Sequence, residues 1–147
     1  MSRIIVIDSG PLGYATNPRA SAVNDRCSQW LDDLLANGEH VVIPEIADYE
    51  VRRGWLRTGR SHAIARLDGL KVTLGYAPIT TEAMLLAAEL WADARRRGYA
   101  TASDQSLDAD VILAAQAITL GGAAVIATTN VRHLSRYAQA ELWDQIR

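Results

Sequence analysis

The sequence has few of the features that mark secreted or membrane proteins. It contains one cysteine, Cys27, which excludes an internal disulfide and which we interpret as a small core residue. No apolar run approaches the roughly 18 residues that a membrane-spanning helix needs. An apolar segment, residues 4–7, begins almost at the first residue, and we therefore expect no signal peptide. These absences predict a cytoplasmic protein without a membrane segment.

Several kinds of active site are excluded because the sequence lacks their residues. No histidines and cysteines stand at zinc-ligand spacing, and Ser9 lacks the glycine-flanked turn of a hydrolase nucleophile. A phosphatase with an aspartate after its first strand needs a second aspartate two residues on, where this chain has Gly10. A phospho-receiver needs a late lysine, but the only lysine is Lys71. The formal charge of −2 gives no global signal for nucleic acid, although a local basic patch fits within it.

Apolar segments that suit buried strands alternate along the chain with segments of helical periodicity. The composition, 49% hydrophobic and 22% charged, is that of a globular protein, and the length favours one domain, residues 1–147. The alternation predicts an α/β fold, with a central parallel sheet of four to five strands between helical layers (α/β/α). We expect strands at residues 4–7, 41–44, 71–74 and 123–127, and a last edge strand around 142–146. We expect helices at residues 24–37, 45–56, 61–70, 82–97 and 110–118, and a short helical piece near 131–137.

The first predicted strand, residues 4–7, ends at an aspartate. The segment is a continuous aliphatic run, which suits a strand buried on both faces. Asp8 follows it directly, and the turn-forming residues 9–11 then end the strand. Because ligands bind at the carboxyl ends of strands in open α/β sheets, Asp8 is a candidate ligand-binding residue. The alternative is that Asp8 only caps the helix that follows.

Three further polar residues are predicted at the same edge of the sheet. Glu50 lies in the helix after the second strand, Asp110 opens a strongly apolar helix, and Asn130 follows the fourth strand. Carboxylates that share a cleft repel each other, and a hard divalent cation removes that penalty. We therefore expect Mg²⁺ or Mn²⁺ bound through oxygen ligands, an arrangement that activates water at a phosphodiester.

Each of the acidic residues also has a simpler interpretation. Asp108 and Asp110 could serve only as first-turn acids that complement the dipole of their helix. Glu50 is followed by two arginines, so an exposed, ion-paired glutamate is the alternative at that position. Asp104 fits a loop acid better than a metal ligand.

Four blocks of sequence, in order and with matching spacing, resemble the PIN-domain ribonucleases and, within them, the VapC-type toxins. The first block is Ile-Val-Ile-Asp8-Ser-Gly-Pro-Leu, and the others are residues 43–54, 108–117 and 126–130. Each block alone is a weak signal, whereas the four together are fairly specific and cover nearly the whole chain. The resemblance implies a metal-dependent endoribonuclease of the PIN fold that acts on RNA.

The resemblance also implies roles for individual residues. Asp8, Glu50 and Asp110 match the three core acids of the family, which would bind Mg²⁺ or Mn²⁺. Asn130 stands where many members carry a fourth acid, and this departure removes one negative charge and leaves open whether one or two metal ions bind. Asp108 then becomes a candidate accessory metal ligand. Members of the family often form homodimers and, in toxin operons, bind a cognate antitoxin protein.

The residues after Glu50 and around position 133 are harder to assign. If Arg52, Arg53 and Arg57 face the cleft, they contact RNA phosphates and give salt-dependent binding, and otherwise they form a solvated helix face. His133 and Leu134 lie in the region where many members of the family carry an acidic residue before an aromatic one, and we interpret His133 as a surface or structural residue. The competing hypothesis for function is a non-catalytic module of the same fold that binds RNA or a protein, motivated by Asn130.

Overall fold

A parallel sheet forms the centre of the structure. The computed structural model describes residues 3–98 and 103–147, and these contain a sheet of five strands. All neighbouring strands are parallel, and their order across the sheet is β3-β2-β1-β4-β5. β1 is therefore the middle strand, with β2 and β4 on either side. The strands are β1 (Ile4–Ile7), β2 (His40–Pro44), β3 (Gly75–Ala77), β4 (Ala124–Thr128) and β5 (Ala140–Leu142).

Helices cover both faces of this sheet. They are α1 (Ser9–Thr16), α2 (Ala22–Ala36), α3 (Glu45–Arg57), α4 (Ser61–Thr73), α5 (Thr81–Arg96), α6 (Asp104–Thr119) and α7 (Val131–Leu134). Side chains of α1 to α4 pack on one face, against Ile5, Ile7 and Ile43. α6 and α7 pack on the other face, against Val6 and Ile126, and α5 packs on α6. The expected α/β/α layers are confirmed, and none of the described helices is long and apolar enough to cross a membrane.

Two expected strands are displaced in the structure. Residues 71–73 form the last turn of α4, which Leu74 closes by donating its N–H to the Leu70 carbonyl at 2.7 Å, and β3 begins one residue later. β5 ends at residue 142, where an edge strand was expected to begin, and a 3-10 turn follows at Trp143–Gln145. That turn buries Trp143 against Trp30, with ring centroids 5.4 Å apart. Val72 and Leu74 alternate with polar residues as in a strand, although Val72 is exposed on α4 in the structure. The segment at 142–146 suits a buried turn as well as a strand, so periodicity could not separate the two.

Two helices begin earlier than their apolar periodicity indicates. α2 begins at Ala22 because the Ser21 hydroxyl accepts the Asn24 N–H, and α6 begins at Asp104 because the Ser103 hydroxyl accepts the Ser106 N–H. These serine caps add a turn before each apolar stripe, and Val23 and Leu107 in the added turns pack against the core. The core interpretation of Cys27 in α2 agrees with the structure: burial raises the pKa of its thiol to about 12, which keeps it protonated and unreactive.

A buried ion network joins α3, α4 and β3. The Asp48 carboxylate accepts hydrogen bonds from Arg52 Nε at 2.9 Å and the Tyr76 hydroxyl at 2.9 Å, and it pairs with Lys71 Nζ at 3.1 Å. Arg52 also pairs with the exposed Asp68 at 2.7 Å. Burial alone would raise the pKa of Asp48, but the bonds from Lys71, Arg52 and Tyr76 outweigh it and lower that pKa. The network therefore holds the buried face of α3 against α4 and β3.

We expect Asp48→Asn to lower the free energy of unfolding by about 2–3 kcal/mol at neutral pH. This is less than the about 3–5 kcal/mol of a fully buried pair, because Arg52 and Lys71 remain partly exposed. Asp68→Asn is the matched control and should cost at most about 1 kcal/mol, as exposed pairs do. The Asp48 contribution is present above the pKa of an unfolded aspartate and is lost as pH falls through its lowered folded-state pKa. Urea unfolding at several pH values measures this, and equal losses in the two variants would contradict it.

Candidate active site

Asp8 lies at the carboxyl end of the central strand and is held there by backbone and side-chain hydrogen bonds. Its backbone N–H donates to the Ala127 carbonyl of β4 at 2.9 Å. Its carboxylate accepts the Ser9 N–H at 2.7 Å and the Thr128 hydroxyl at 2.7 Å. Asp8 is also the N-cap of α1, so the helix-cap interpretation describes its local structure correctly. Capping occupies only part of the carboxylate, since each oxygen has two lone pairs.

Thr128 is the residue at this edge that sequence reasoning missed. It is the last residue of β4 and fully buried; its hydroxyl donates to Asp8 and accepts the Asn130 N–H at 2.8 Å. Ile7 pairs with Ala127 in the parallel register, which brings the next residues, Asp8 and Thr128, side by side. The sequence does not show this register. Asn130 is therefore connected to Asp8 through its backbone and Thr128, and its side chain does not cap α7.

The first turn of α1 passes very close to the segment after β4. A Cβ atom added at Gly10 would lie 2.9 Å from the Thr129 hydroxyl oxygen, a distance that forces one of them to move. Gly10 is thus required by close packing, not by its backbone angles. This packing holds the start of α1, and with it Asp8, against β4.

The structure brings three carboxylates close enough for their charges to act on one another. Burial raises the pKa of Asp8. Burial and then the charges of Asp8 and Asp110 raise the pKa of Glu50. Burial and then the charge of Asp8 raise the pKa of Asp110 to about 6, while His133 on α7 lowers it. These three acids come from β1, α3 and α6, so the parallel sheet has assembled residues that are far apart in sequence.

A family model of the PIN domain matches residues 5–140. The chain belongs to the PIN domain family. A separate comparison of the sequence with curated proteins found no match.

Solved structures share the fold of this PIN domain at low sequence identity. A chain of the VapBC2 complex of Rickettsia felis, bound to a DNA fragment from its promoter, superimposes with a TM-score of 0.72 and 18% identity, over 94% of this chain and 97% of that one. A chain of the DNA-bound VapBC complex of Salmonella typhimurium gives 0.72 and 18%, over 97% and 99%. A chain of VapBC-1 of nontypeable Haemophilus influenzae gives 0.68 and 17%, over 96% and 98%. These likenesses establish the fold.

The remaining acidic candidates lie elsewhere or outside the described side chains. Asp108 is exposed and lines a cavity between α5 and α6, together with Met84 and Trp91. Within the described residues, Asp108 is not among the groups that shift the pKa of Asp8, Glu50 or Asp110. The prediction of Asp108 as an accessory ligand therefore has no geometric support. The side chain of Asp104 lies outside the part of the structure that is described.

The arginines after Glu50 have different surroundings. Arg52 pairs with Asp48 and Asp68, which leaves its guanidinium committed to the ion network. Arg53 lies 3.8 Å from Glu50, and its guanidinium lies over the Tyr49 ring at 5.0 Å. Arg57, in the last turn of α3, is exposed. Arg53 is therefore the arginine that directly adjoins the candidate site, and Arg52 has a structural role that the sequence could not indicate.

The donor set of this PIN domain fits a hard divalent cation. In residues 3–98 and 103–147, no three acidic, histidine or cysteine side chains meet closely enough to form a ready-made cage. Mg²⁺ does not need such a cage, since it keeps several waters and binds through one or two carboxylates. Asp8, Glu50 and Asp110 are oxygen donors whose charges repel one another at the same sheet edge. A cation there relieves that repulsion, so the residues fit Mg²⁺ or Mn²⁺.

Proposed function

We propose that this PIN domain is a Mg²⁺- or Mn²⁺-dependent endoribonuclease and the toxin component of a toxin–antitoxin pair. The observation that carries the proposal is the convergence of Asp8, Glu50 and Asp110, three desolvated carboxylates of which Asp8 raises the pKa values of the other two. Buried like charges lower stability unless a partner neutralises them, so their retention in one cleft indicates a function. The family model over residues 5–140 supports a nuclease.

In this proposal, each residue of the site has a distinct part. Asp8, Glu50 and Asp110 would hold the cation, which when bound activates water and stabilises charge at the phosphodiester. Thr128 orients Asp8. The Thr128 hydroxyl oxygen accepts the Asn130 N–H, and its proton is therefore directed at the Asp8 carboxylate. Orienting groups of this kind are typically worth about 10- to 100-fold in metal affinity or activity. Asn130 then acts through its backbone, with no charge of its own.

The partners follow from the same proposal. RNA would be the substrate, and the exposed Arg53 and Arg57 would contact its phosphates, which makes binding salt-dependent. The solved relatives are VapBC complexes, which supports a cognate antitoxin protein as the second partner. We extend the proposal to a homodimer that works in the cytoplasm, with residues 1–147 as a single domain.

A cleavage assay tests this function. Purified protein is incubated with single-stranded and tRNA-like RNAs in Mg²⁺, in Mn²⁺ and in EDTA. We expect cleavage with either ion and none in EDTA, whereas full activity in EDTA would overturn the metal-dependent mechanism.

The uncharged side chain of Asn130 favours one alternative, a PIN-fold module that binds RNA or a protein without cutting. RNA binding that survives Asp110→Ala, with no cleavage under any metal, would favour that alternative.

A further inference from the structure

A cavity between α1 and α3 opens directly beside the candidate carboxylates. Its volume is about 410 Å³, which lies within the about 300–1,000 Å³ of small-molecule sites. Ser9 and Glu50 line the end at the catalytic edge, and Trp55 and Val51 contribute apolar surface. Ser9 and Glu50 therefore belong to both the cavity and the site, and a chain bound across the carboxylates would pass its neighbouring group into the cavity.

Glycines keep this cavity open. Gly13 on α1 and Gly54 on α3 line it, and a Cβ atom added at either position would meet nothing within 4 Å. Glycine inside a helix costs about 0.5–1 kcal/mol relative to alanine, and neither residue has the positive φ that would require glycine. The two glycines thus lower helix stability and leave open space next to the catalytic edge.

The side chains that line the cavity match a nucleotide in chemistry. Trp55 is half-buried, and its indole N–H donates inward to the Thr16 hydroxyl at 3.0 Å, which fixes the ring that lines the cavity. Aromatic rings are the surfaces on which unpaired bases stack. Arg53 also lines the cavity and supplies a cation for the adjoining phosphate. The lining thus combines an aromatic ring, open space beside two glycines and a cation. A base with its phosphate matches this combination better than a peptide side chain, which is either apolar or charged.

We propose that this cavity is a nucleotide subsite, which takes the unpaired base next to the scissile phosphate of a single-stranded RNA segment. The inference rests on the proposed ribonuclease function and deepens it, because it names which part of the substrate lies against α1 and α3. Residues Gly13, Gly54 and Trp55 then determine how well a base fits, and the carboxylates determine cleavage.

Filling the cavity from either helix tests the proposal. Gly13→Leu and Gly54→Leu place a side chain in the open space, and Gly69→Leu on α4 is the matched control, since a Cβ there also meets nothing within 4 Å and Gly69 is not among the cavity-lining residues. We expect each filled variant to lose about 5- to 100-fold in kcat/KM, mainly through KM, as the loss of one stacked base would. Gly69→Leu should cleave like the wild-type protein, and melting temperatures should be equal or higher in all three.

The outcomes separate this proposal from the function on which it rests. If the wild-type protein cleaves and both filled variants keep its kcat/KM, the subsite is overturned and the nuclease stands. If the wild-type protein cleaves nothing, binding of a fluorescent single-stranded oligoribonucleotide replaces the assay. Binding that the filled variants lose then supports the subsite without the nuclease, and binding that is absent or unchanged overturns the subsite. Because the two glycines lie on different helices, the test can be read from either Gly13→Leu or Gly54→Leu if only one of them folds.

Discussion

Asp8→Asn is expected to reduce RNA cleavage by more than about 100-fold while the protein remains folded. Groups that only orient a metal ligand typically contribute about 10- to 100-fold, so the loss of a charged ligand should exceed that range. The asparagine side chain keeps one oxygen for the Ser9 N–H, and its amide group can donate to Thr128 in place of accepting from it. It also removes a buried charge whose burial is unfavourable, as the raised pKa of Asp8 shows.

Initial cleavage rates in saturating Mn²⁺ and thermal unfolding in EDTA measure the two halves of this expectation. Asp32→Asn, at an exposed position on α2, changes the net charge by the same amount and serves as the control. A variant at position 8 that cleaves within tenfold of the wild-type rate would remove Asp8 from the mechanism. A variant that unfolds would instead show that its helix-capping role dominates.

Asp110→Asn is expected to lower cleavage as strongly as Asp8→Asn, whereas Asp108→Asn, two residues earlier, should change it by about twofold or less. Asp110 acts electrostatically with Asp8, but Asp108 is exposed and lines the cavity between α5 and α6. Both residues lie in the early part of α6, so any general effect on that helix would appear in both variants.

The same pair of variants can be compared without an RNA substrate. A cation bound only to the folded state stabilises it, by about 2.7 kcal/mol at 100 times the dissociation constant. The melting temperature of the wild-type protein and of Asp108→Asn should rise with Mn²⁺, and that of Asp110→Asn should rise much less. Equal responses in the two variants would place the cation elsewhere.

The sequence was most informative where one element, or the general rule that parallel strands end at the same edge of a sheet, decides the structure. The aliphatic run of β1 predicted a buried strand that ends at Asp8, and the parallel topology predicted that Glu50 and Asp110 would approach it. The features that it missed depend on packing between elements. Thr128 contacts Asp8 through the register of two strands, and Arg52 is paired because α4 brings Asp68 beside α3.

Displaced boundaries have the same physical origin. Residues 71–74 were compatible with a strand, but α4 continues through residue 73 and ends with a local bond from the Leu74 N–H. The side chain of Leu74 is buried in the core that helices α1 to α4 share with the sheet, a contact between elements. The cavity beside Trp55 was also not visible in the sequence, because it exists only where glycines of two helices face the same space. Local patterns therefore predicted the elements and the edge of the site, and not the contacts that complete it.

The two outer strands of the sheet restrict how another protein can bind. β3 and β5 form the edges, and each is three residues long. Such short edges present few unpaired backbone groups, which protects the protein from edge-to-edge aggregation. They also offer few hydrogen-bonding groups for β-augmentation, in which a partner adds a strand to the sheet. An antitoxin would therefore have to recognise side chains on the helical layers, so its specificity would depend on surface residues that can change without disturbing the sheet.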